Sequence, residues 1–284
     1  MENNGVNDDS VIKWYEDKTD SIINKYGPGP IIHFHTGLIN HHIVPSQDNQ
    51  SLKIHLVNSQ QRLLDHAYKL WRLSDLGYIR LLDVGCGLGG GAIYLAKMFG
   101  VKVYALTNVP SHLNYIQKYV DEAGVKDRVI PLLGDACDVP GGVIFDSAIA
   151  VESSCYLDRY RWFKHLATRI RHKGHIYIVD SFSDFDEVKK QFNEYWLTQL
   201  GSLNEYHKAA NQFGFNLESE IDISKETEKF WELSVLYSNR ILETQDVSQK
   251  ELIRLKKSID WQTRLWNLWR TKKITCSLLD YCLQ

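Results

Sequence analysis

The sequence predicts an α/β fold in which a doubly wound, parallel sheet is flanked by helical segments. Between about Ile79 and Phe182, short apolar runs alternate five times with amphipathic stretches, as strands and helices do in a parallel sheet. Helical periodicity without this alternation precedes residue 75 and follows residue 184. Glycines also cluster directly after the first apolar run, between Gly85 and Gly91, as expected where a buried strand turns into a helix.

Bulk composition narrows the class of protein. The chain has 284 residues, of which 44% are hydrophobic and 24% charged, as in globular proteins with a full core. A net charge of −2 without a basic stripe predicts no nucleic acid partner. Five cysteines without a CxxC motif, no secretory signal in "MENNGVNDDS", and no apolar run near the roughly 18 residues of a membrane span predict a cytoplasmic protein. A homo-oligomer is compatible with the sequence.

Residues 1–75 are predicted to form an N-terminal helical lid segment. We expect residues 1–10 to be disordered and Val11 to Tyr26 to form one or two short helices. The run "YGPGPIIHFHTG" ends them, because glycine and proline break helices. An amphipathic helix follows in "KIHLVNSQQRLLDHAYKLWRL", with Leu56, Leu63 and Leu64 on its apolar stripe.

Residues 76–183 are predicted to form the α/β core. Its strands are expected in "IRLLDVG", "VKVYALT", "RVIPLLGD", "FDSAIAVES" and "GHIYIVDSF". Its helices are expected in "GAIYLAKMFG", in "PSHLNYIQKYVDEAG" and in "DRYRWFKHLATRIR". Gly100 and Gly124 close the first two helices, and Pro110 opens the second.

Residues 184–272 are predicted to form a helical cap. Phe185, Val188, Phe192 and Tyr195 keep helical spacing, and "KFWELSVLYSNRI" and "LIRLKKSIDWQTRLWNLWR" carry aromatic faces. Residues 273–284 should form a final strand that returns to the edge of the sheet. The eight tryptophans and fifteen tyrosines crowd toward the two ends of the chain. They are either ordinary core residues or the lining of a cavity.

The glycine-rich run "LLDVGCGLGGG" predicts a nucleotide-binding turn at the carboxyl edge of the sheet. Gly85, Gly87 and Gly90 match the nicotinamide pattern GxGxxG, so a dehydrogenase must be considered. A dehydrogenase places its acidic residue about 20 residues later, but the second strand ends in "YALTN" without one. The acidic residues near this turn are instead Asp83, inside the glycine-rich run, and Asp135, in "GDACDVP" after the third strand. Their positions are not those of a dehydrogenase.

Glu152 ends the fourth predicted strand, in "FDSAIAVESSCYL". Functional groups concentrate at the carboxyl ends of parallel strands. An acid followed by Ser153 and Ser154 can also be a solvent-facing or helix-capping residue. From the residues alone, both interpretations of Glu152 stay open.

Four motifs in this order resemble the class I methyltransferases that C-methylate prenyl chains, the geranyl diphosphate C-methyltransferase group. They are "HFHTG" at His33–Gly37, the glycine motif at Asp83–Gly90, Glu152 and Ser153 followed by Tyr156, and the triplet Trp231, Glu232 and Leu233. The resemblance covers nearly the whole chain. It implies a Rossmann-like class I sheet, transfer of a methyl group from S-adenosyl-L-methionine (SAM), and a small hydrophobic substrate of prenyl or terpenoid type.

The resemblance also implies roles for residues. It makes Glu152 the base, with His33 and His35 beside it as catalytic candidates. Mg²⁺ is expected if the substrate carries a diphosphate. The implied SAM site comprises Asp83, Gly85, Gly87, Gly89, Thr107, Asn108, His112, Asp135, Ala136 and Glu152. The implied substrate pocket comprises Tyr15, Phe34, Tyr156, Phe192, Trp196 and Trp231.

Two departures from this group leave alternatives open. Thr36 stands where the group carries tyrosine, and Val109 and His112 replace a polar serine and glutamine. An O- or N-methyltransferase of a small metabolite would need a base, which a histidine could supply. The candidates are His33, His35, His41 and His42. A SAM-binding cyclase without methyl transfer and a zinc site at these histidines are further alternatives, although no cysteine or glutamate lies nearby at a usual ligand spacing.

Overall fold

The computed structural model describes residues 8–39, 48–75, 77 and 79–284. Within these residues, seven strands form one sheet in the order β3-β2-β1-β4-β5-β7-β6. The strands are β1 Arg80–Val84, β2 Lys102–Thr107, β3 Val129–Leu133, β4 Phe145–Val151, β5 Ile170–Phe182, β6 Phe215–Asp222 and β7 Thr275–Leu283. The helices are α1 Asp8–Tyr26, α2 Asn49–Leu70, α3 Gly90–Phe99, α4 His112–Ala123, α5 Arg159–Leu166, α6 Asp186–Trp196, α7 Leu203–Gln212, α8 Ser224–Thr244 and α9 Gln249–Arg270.

The predicted fold class is confirmed. Strands β1 to β5 pair in parallel, with β1 at the centre between β2 and β4. Both faces of this sheet are covered, as parallel sheets require. Alternating residues of β1 show this, because Leu81 belongs to one hydrophobic cluster and Leu82 to another, and both are fully buried. Helices α2, α8 and α9 contribute to the first cluster, whereas α5 and α7 contribute to the second.

Part of the predicted helical cap is instead a strand. The segment 184–272 contains β6, which pairs antiparallel with β7 at the edge of the sheet. The expectation of helix throughout this segment is therefore wrong for Phe215–Asp222. Only Phe215 is buried in this strand and its other residues are exposed or half-buried, so "FNLESEID" carries no alternating apolar signal.

The last strand also takes another place than expected. It was predicted at the sheet edge, but β7 lies between β5 and β6 and runs antiparallel to both. Leu278 and Leu279 on β7 are fully buried. Strands β5 and β6 both hydrogen-bond to β7, and the side chains of β7 pack into the hydrophobic clusters on both faces of the sheet.

Two helix boundaries differ from the prediction. Helix α1 begins at Asp8, so residues 8–10 are helical, and Asp9 lies in the first turn, where a negative charge is favourable. Helix α5 ends at Leu166 rather than near Arg171, because Ile170 already pairs with Phe145 of β4. The Arg169 guanidinium stabilises this turn by donating hydrogen bonds to the carbonyls of Val139 and Val143.

The loop after α1 packs against helices α2 and α8. Leu38 N donates to Ser59 O of α2, and Ile39 N donates to Glu226 O of α8. In the same loop, Thr36 N donates to the side chain of Glu152, the residue directly after β4, so the loop reaches the carboxyl end of that strand. Among the helices that are described, none combines the length and the apolar character that a bilayer span would need.

Candidate active site

A cavity of about 150 Å³ lies at the carboxyl edge of the sheet. The parallel strands β1 to β4 all end here, so residues that follow them in the chain converge. Of the residues predicted to bind SAM, the following line this cavity: Asp83, Gly85, Gly87, Thr107, Asn108, His112, Asp135, Ala136 and Glu152. Gly89 does not line it. It lies at the N-cap of α3, where a Cβ atom would meet the side chain of Ile116 at 3.2 Å.

The glycine turn leaves room for a ligand against the backbone. Gly85 and Gly87 both have positive φ, at 68° and 56°, a conformation that favours glycine. A Cβ atom on Gly87 would meet nothing within 4 Å, so its backbone faces open space. A Cβ atom on Gly85 would instead lie 2.6 Å from that of Ser153. Such an open backbone cradle fits a nucleoside cofactor such as SAM.

Asp83 is suited to a cationic partner. Its carboxyl group is buried, and burial raises its pKa to about 7, against a smaller opposing effect from the backbone of Ala92. A positive charge in the cavity would favour the ionised carboxylate. The α-ammonium group of SAM would supply that charge, so the residues present fit this cofactor.

Glu152 lies at the junction of this cavity with a larger one, and it lines both. It has φ of 48°, and its amide donates to Val179 O of the neighbouring strand. Its Oε1 accepts a hydrogen bond from Thr36 N at 2.8 Å. Burial raises the pKa of Glu152 to about 7. The carboxylate thus contacts the N-terminal loop, and neither a helix-capping nor a solvent-facing role describes its position.

The loop that contains His33 and His35 forms the wall next to Glu152. His35 Nδ1 lies 2.7 Å from Thr36 O, so this nitrogen carries the proton and donates. His35 Nε2 is then an acceptor, and it is buried without a partner. His33 Nε2 lies 3.1 Å from Gln61 Oε1. Burial lowers the pKa of both histidines, to about 3 for His35, so both rings are neutral.

The geometry of these histidines does not indicate zinc. Among the residues that the structure describes, no group of three or more His, Cys, Asp or Glu side chains could hold a metal ion. His41 and His42 lie outside the described residues. His33 lines only the smaller cavity, whereas His35 lines both.

The larger cavity has a volume of about 570 Å³ and a wall rich in aromatic rings. It brings together every residue predicted for the substrate pocket: Tyr15, Phe34, Tyr156, Phe192, Trp196 and Trp231. Tyr15 and Tyr156 hydrogen-bond through their hydroxyl groups at 3.1 Å, and the ring of Phe34 contacts the rings of Tyr15 and Trp196. Tyr15, Phe34 and Tyr156 also line the smaller cavity, so they form the boundary between the two.

Several residues of the larger cavity were not predicted from the sequence. Asp180 at the end of β5 lines it and accepts hydrogen bonds from Ser154 Oγ and from Cys155 N, which holds the turn after Glu152. Its position at a strand end, in "IYIVDSF", is the same signal that identified Asp83 and Glu152. Trp261 and four cationic side chains also line the cavity: Lys18, Lys25, Lys53 and Arg254.

Comparisons with known proteins identify the family and the fold of the chain. The family model described as mycolic acid cyclopropane synthetase matches residues 49–226, more than half of the 284 residues. "Methyltransferase GfsG" of Streptomyces halstedii is 28% identical over 181 residues, which cover 61% of this chain and 64% of that protein. The chain thus spans less than two thirds of that relative's length. Geranyl diphosphate 2-C-methyltransferase of Streptomyces lasalocidi is 23% identical over 215 residues, covering 71% of this chain and 70% of that protein.

A solved structure shows the same fold over nearly the whole chain. It is a geranyl diphosphate methyltransferase in complex with GPP and sinefungin, and it superposes with a TM-score of 0.81 at 18% identity. The superposition covers 97% of this chain and 98% of that chain. The chain therefore belongs to the mycolic acid cyclopropane synthetase family, with the fold of a SAM-dependent methyltransferase.

Proposed function

We propose that this protein is a C-methyltransferase that acts on an alkene of a prenyl diphosphate or a related terpenoid. The observation that carries the proposal is the position of Glu152, a carboxylate with a pKa near 7 between the glycine-lined cavity and the aromatic cavity. The similarity of the chain to geranyl diphosphate methyltransferases in sequence and fold supports the same assignment.

The larger cavity provides what such a reaction needs. Bound SAM would supply an electrophilic methyl group to the alkene, and the substrate would become a carbocation. Aromatic faces stabilise a nearby cation by roughly 0.5–2 kcal/mol each, and Phe34, Trp196 and Trp231 surround this space. The same rings exclude water, which would otherwise trap the cation.

Glu152 would then remove a proton from the cation. Its hydrogen bond from Thr36 N fixes one carboxylate oxygen, Oε1, and leaves Oε2 as the oxygen to accept the proton. A carboxyl group with a pKa near 7 is well matched to this task at neutral pH, because it is both substantially ionised and basic. We further propose that Asp83 binds the SAM ammonium and that Asn108 and His112 lie at its ribose, since all three line the smaller cavity.

Replacement of the proposed base tests this function. Glu152→Gln keeps the acceptor for Thr36 N but cannot take up a proton, so we expect SAM binding to persist while turnover of geranyl diphosphate falls about 10²–10⁴-fold. SAM affinity is measured by calorimetry, and turnover by the methylated product. Glu218→Gln on the exposed face of β6 is the matched control. Full activity of Glu152→Gln would rule out Glu152 as the base.

A second candidate, O- or N-methylation, is favoured by one observation. His35 Nε2 is a buried acceptor without a partner at the large cavity, where it could receive the proton of a hydroxyl group. Its pKa near 3 makes it a weak base. His35→Asn can keep donation to Thr36 O while removing Nε2. Assays with labelled SAM against phenols and prenyl diphosphates decide between the two, since only the O- or N-methyltransferase should methylate phenols and need Nε2.

A further inference from the structure

We propose that the larger cavity binds the diphosphate of its acceptor directly through four cationic side chains, without a protein-bound Mg²⁺ ion. We call Lys18, Lys25, Lys53 and Arg254 the cationic rim. All four line the large cavity, and they come from three helices, α1, α2 and α9. The carboxylates of Glu152 and Asp180 instead enter the cavity from the sheet. The inference rests on the proposed function for the identity of the acceptor.

The rim is built around one face of α1. Lys18 and Lys25 are seven residues apart, which places them on the same side of the helix. Ser21 lies between them on that side, and its Oγ accepts a hydrogen bond from Arg254 Nη1 of α9. Lys53 Nζ of α2 donates to Asn24 O at 2.8 Å. Lys53 and Arg254 therefore contact the helix that carries Lys18 and Lys25, so all four cations line the cavity beside α1.

These positive charges are poorly balanced. Among the cavity-lining residues of the same three helices, the acidic side chain is Glu251, which pairs with Arg254 at 3.1 Å. Four cations against this one carboxylate leave three positive charges. Asp17 is exposed and does not line the cavity. Its charge raises the pKa of Lys18, but burial and the neighbouring cations lower that pKa by more. The rim thus matches the charge of a diphosphate better than that of a carboxylate.

Burial and mutual repulsion weaken the positive charge of the rim lysines. Burial, together with the charge of Arg254, lowers the pKa of Lys25 to about 8. Burial and the charges of Arg254 and Lys257 also lower the pKa of Lys18. An anion bound among these groups would offset both effects, because an opposite charge favours the protonated amine.

The side chains present suit phosphate oxygens rather than a metal ion. Ammonium and guanidinium groups form strong, charge-assisted hydrogen bonds with phosphate. Mg²⁺ is held in proteins by one or two carboxylates together with substrate phosphates. Two carboxylates of this cavity, Glu152 and Asp180, lie at the sheet and not on the helices of the rim, and both already accept hydrogen bonds from the protein. Beyond the rim the wall is aromatic, with Trp14, Trp196 and Trp231 positioned to enclose an apolar tail.

Binding without turnover tests the rim. Tryptophan fluorescence of the intact protein is titrated with geranyl diphosphate, geraniol and geranic acid, in the absence of SAM and with EDTA present. We expect geranyl diphosphate to bind at least about tenfold more tightly than geraniol, since geraniol lacks the phosphate oxygens that accept charge-assisted hydrogen bonds from the rim. Geranic acid should bind more weakly than the diphosphate. Equal affinities of geranic acid and geranyl diphosphate would overturn the assignment of the head group.

Two variants locate the effect. Lys25→Met and Arg254→Met should each weaken geranyl diphosphate binding about tenfold or more and leave geraniol binding unchanged. Lys256→Met, exposed on α9 and outside the cavity lining, is the matched control. Arg254 also links α9 to α1, so geraniol affinity and the unfolding temperature report whether each variant is folded. Unchanged diphosphate affinity in folded variants would refute the rim.

The outcomes separate this inference from the proposed function. Loss of geranyl diphosphate binding in EDTA, with turnover restored by Mg²⁺, would refute the inference and leave C-methylation standing. Metal-free binding that depends on Lys25 and Arg254, without any methylated product from SAM, would support the rim and contradict the proposed function.

Discussion

At the residue scale, Glu152 shows how a carboxylate acquires a pKa suited to proton transfer. Burial raises its pKa, and the charge of Asp180 acts in the same direction, while the hydrogen bond from Thr36 opposes both. Asp180 itself is held by Ser154 and by the backbone amides of Cys155 and Ser181. The turn between β4 and α5 therefore positions Glu152 and also tunes its acidity.

The raised pKa predicts a pH-dependent stability difference at this residue. Glu152 has a pKa of about 7 in the folded protein, above its ordinary value of 4.5. The folded state thus retains a proton that the unfolded state releases, so this carboxyl group stabilises less as the pH rises from 4.5 to 7. The amide of the Glu152→Gln variant does not titrate. We expect the unfolding temperature of Glu152→Gln, relative to that of the unsubstituted protein, to rise as the pH increases from about 5 to about 8. Circular dichroism measures both temperatures.

A pH-independent difference between the two proteins would contradict this assignment. Other groups with shifted pKa values, such as Asp83, His35 and His112, are common to both proteins. Their contributions cancel in the comparison. Glu194→Gln, exposed on α6, serves as the control here, and its unfolding temperature should follow that of the unsubstituted protein at every pH.

At the element scale, the glycine motif packs α3 against the N-terminal loop as well as forming the cofactor cleft. A Cβ atom at Gly90 would lie 2.1 Å from Ile32 O, well inside van der Waals contact with a backbone atom. In the sequence, Gly90 fitted the nicotinamide-binding pattern. In the structure, a glycine is needed at this position because the N-terminal loop approaches so closely. The loop in turn carries His33, His35 and Thr36 to the site.

Substitution of Gly90 should therefore disturb the site through the loop. Gly90→Ala forces Ile32 away from α3, and we expect the free energy of unfolding to fall by about 1–3 kcal/mol, as for overpacked sites. SAM affinity should fall too, because Ile32 and His33 line the smaller cavity. Urea unfolding and calorimetry measure the two effects.

Gly142→Ala is the control for this substitution. A Cβ atom there would meet nothing within 4 Å, so stability should change little. If Gly90→Ala behaved like Gly142→Ala in both measurements, the close contact between the loop and α3 would be refuted.

At the scale of the whole molecule, the last strand joins the cap to the core. In the sheet, β7 lies between β5 and the edge strand β6. Along the chain, β7 directly follows helix α9. Helices α8 and α9 pack against each other between these two strands in sequence. The two cap helices are thus connected at both ends to strands that pair with each other in the sheet.

A cavity made in β7 should therefore be costly to the whole protein. Leu279 is fully buried in the second hydrophobic cluster, and Leu279→Ala should lower the free energy of unfolding by about 2–5 kcal/mol. Leu217 on β6 is 43% exposed, and Leu217→Ala should change it by only about 0.5 kcal/mol. Urea denaturation compares the two. Similar losses for both variants would contradict the position of β7 inside the sheet, between β5 and β6.

The sequence by itself determined those features whose signals are local. The alternation of apolar runs predicted the parallel strands, and Asp83 and Glu152 were identified because each ends a buried strand. The aromatic residues of the cap were identified as candidates from their placement along the chain. Strand β6 escaped prediction because an exposed edge strand needs no apolar alternation.

Only the tertiary structure decided which distant residues meet. Thr36 N and Glu152 Oε1 are 116 positions apart and share no local pattern. Lys18, Lys53 and Arg254 join one cavity wall only because α1, α2 and α9 pack together. The physical reason is that strand and helix signals arise from neighbouring residues, whereas burial, pKa values and charge balance depend on contacts that chain folding alone creates.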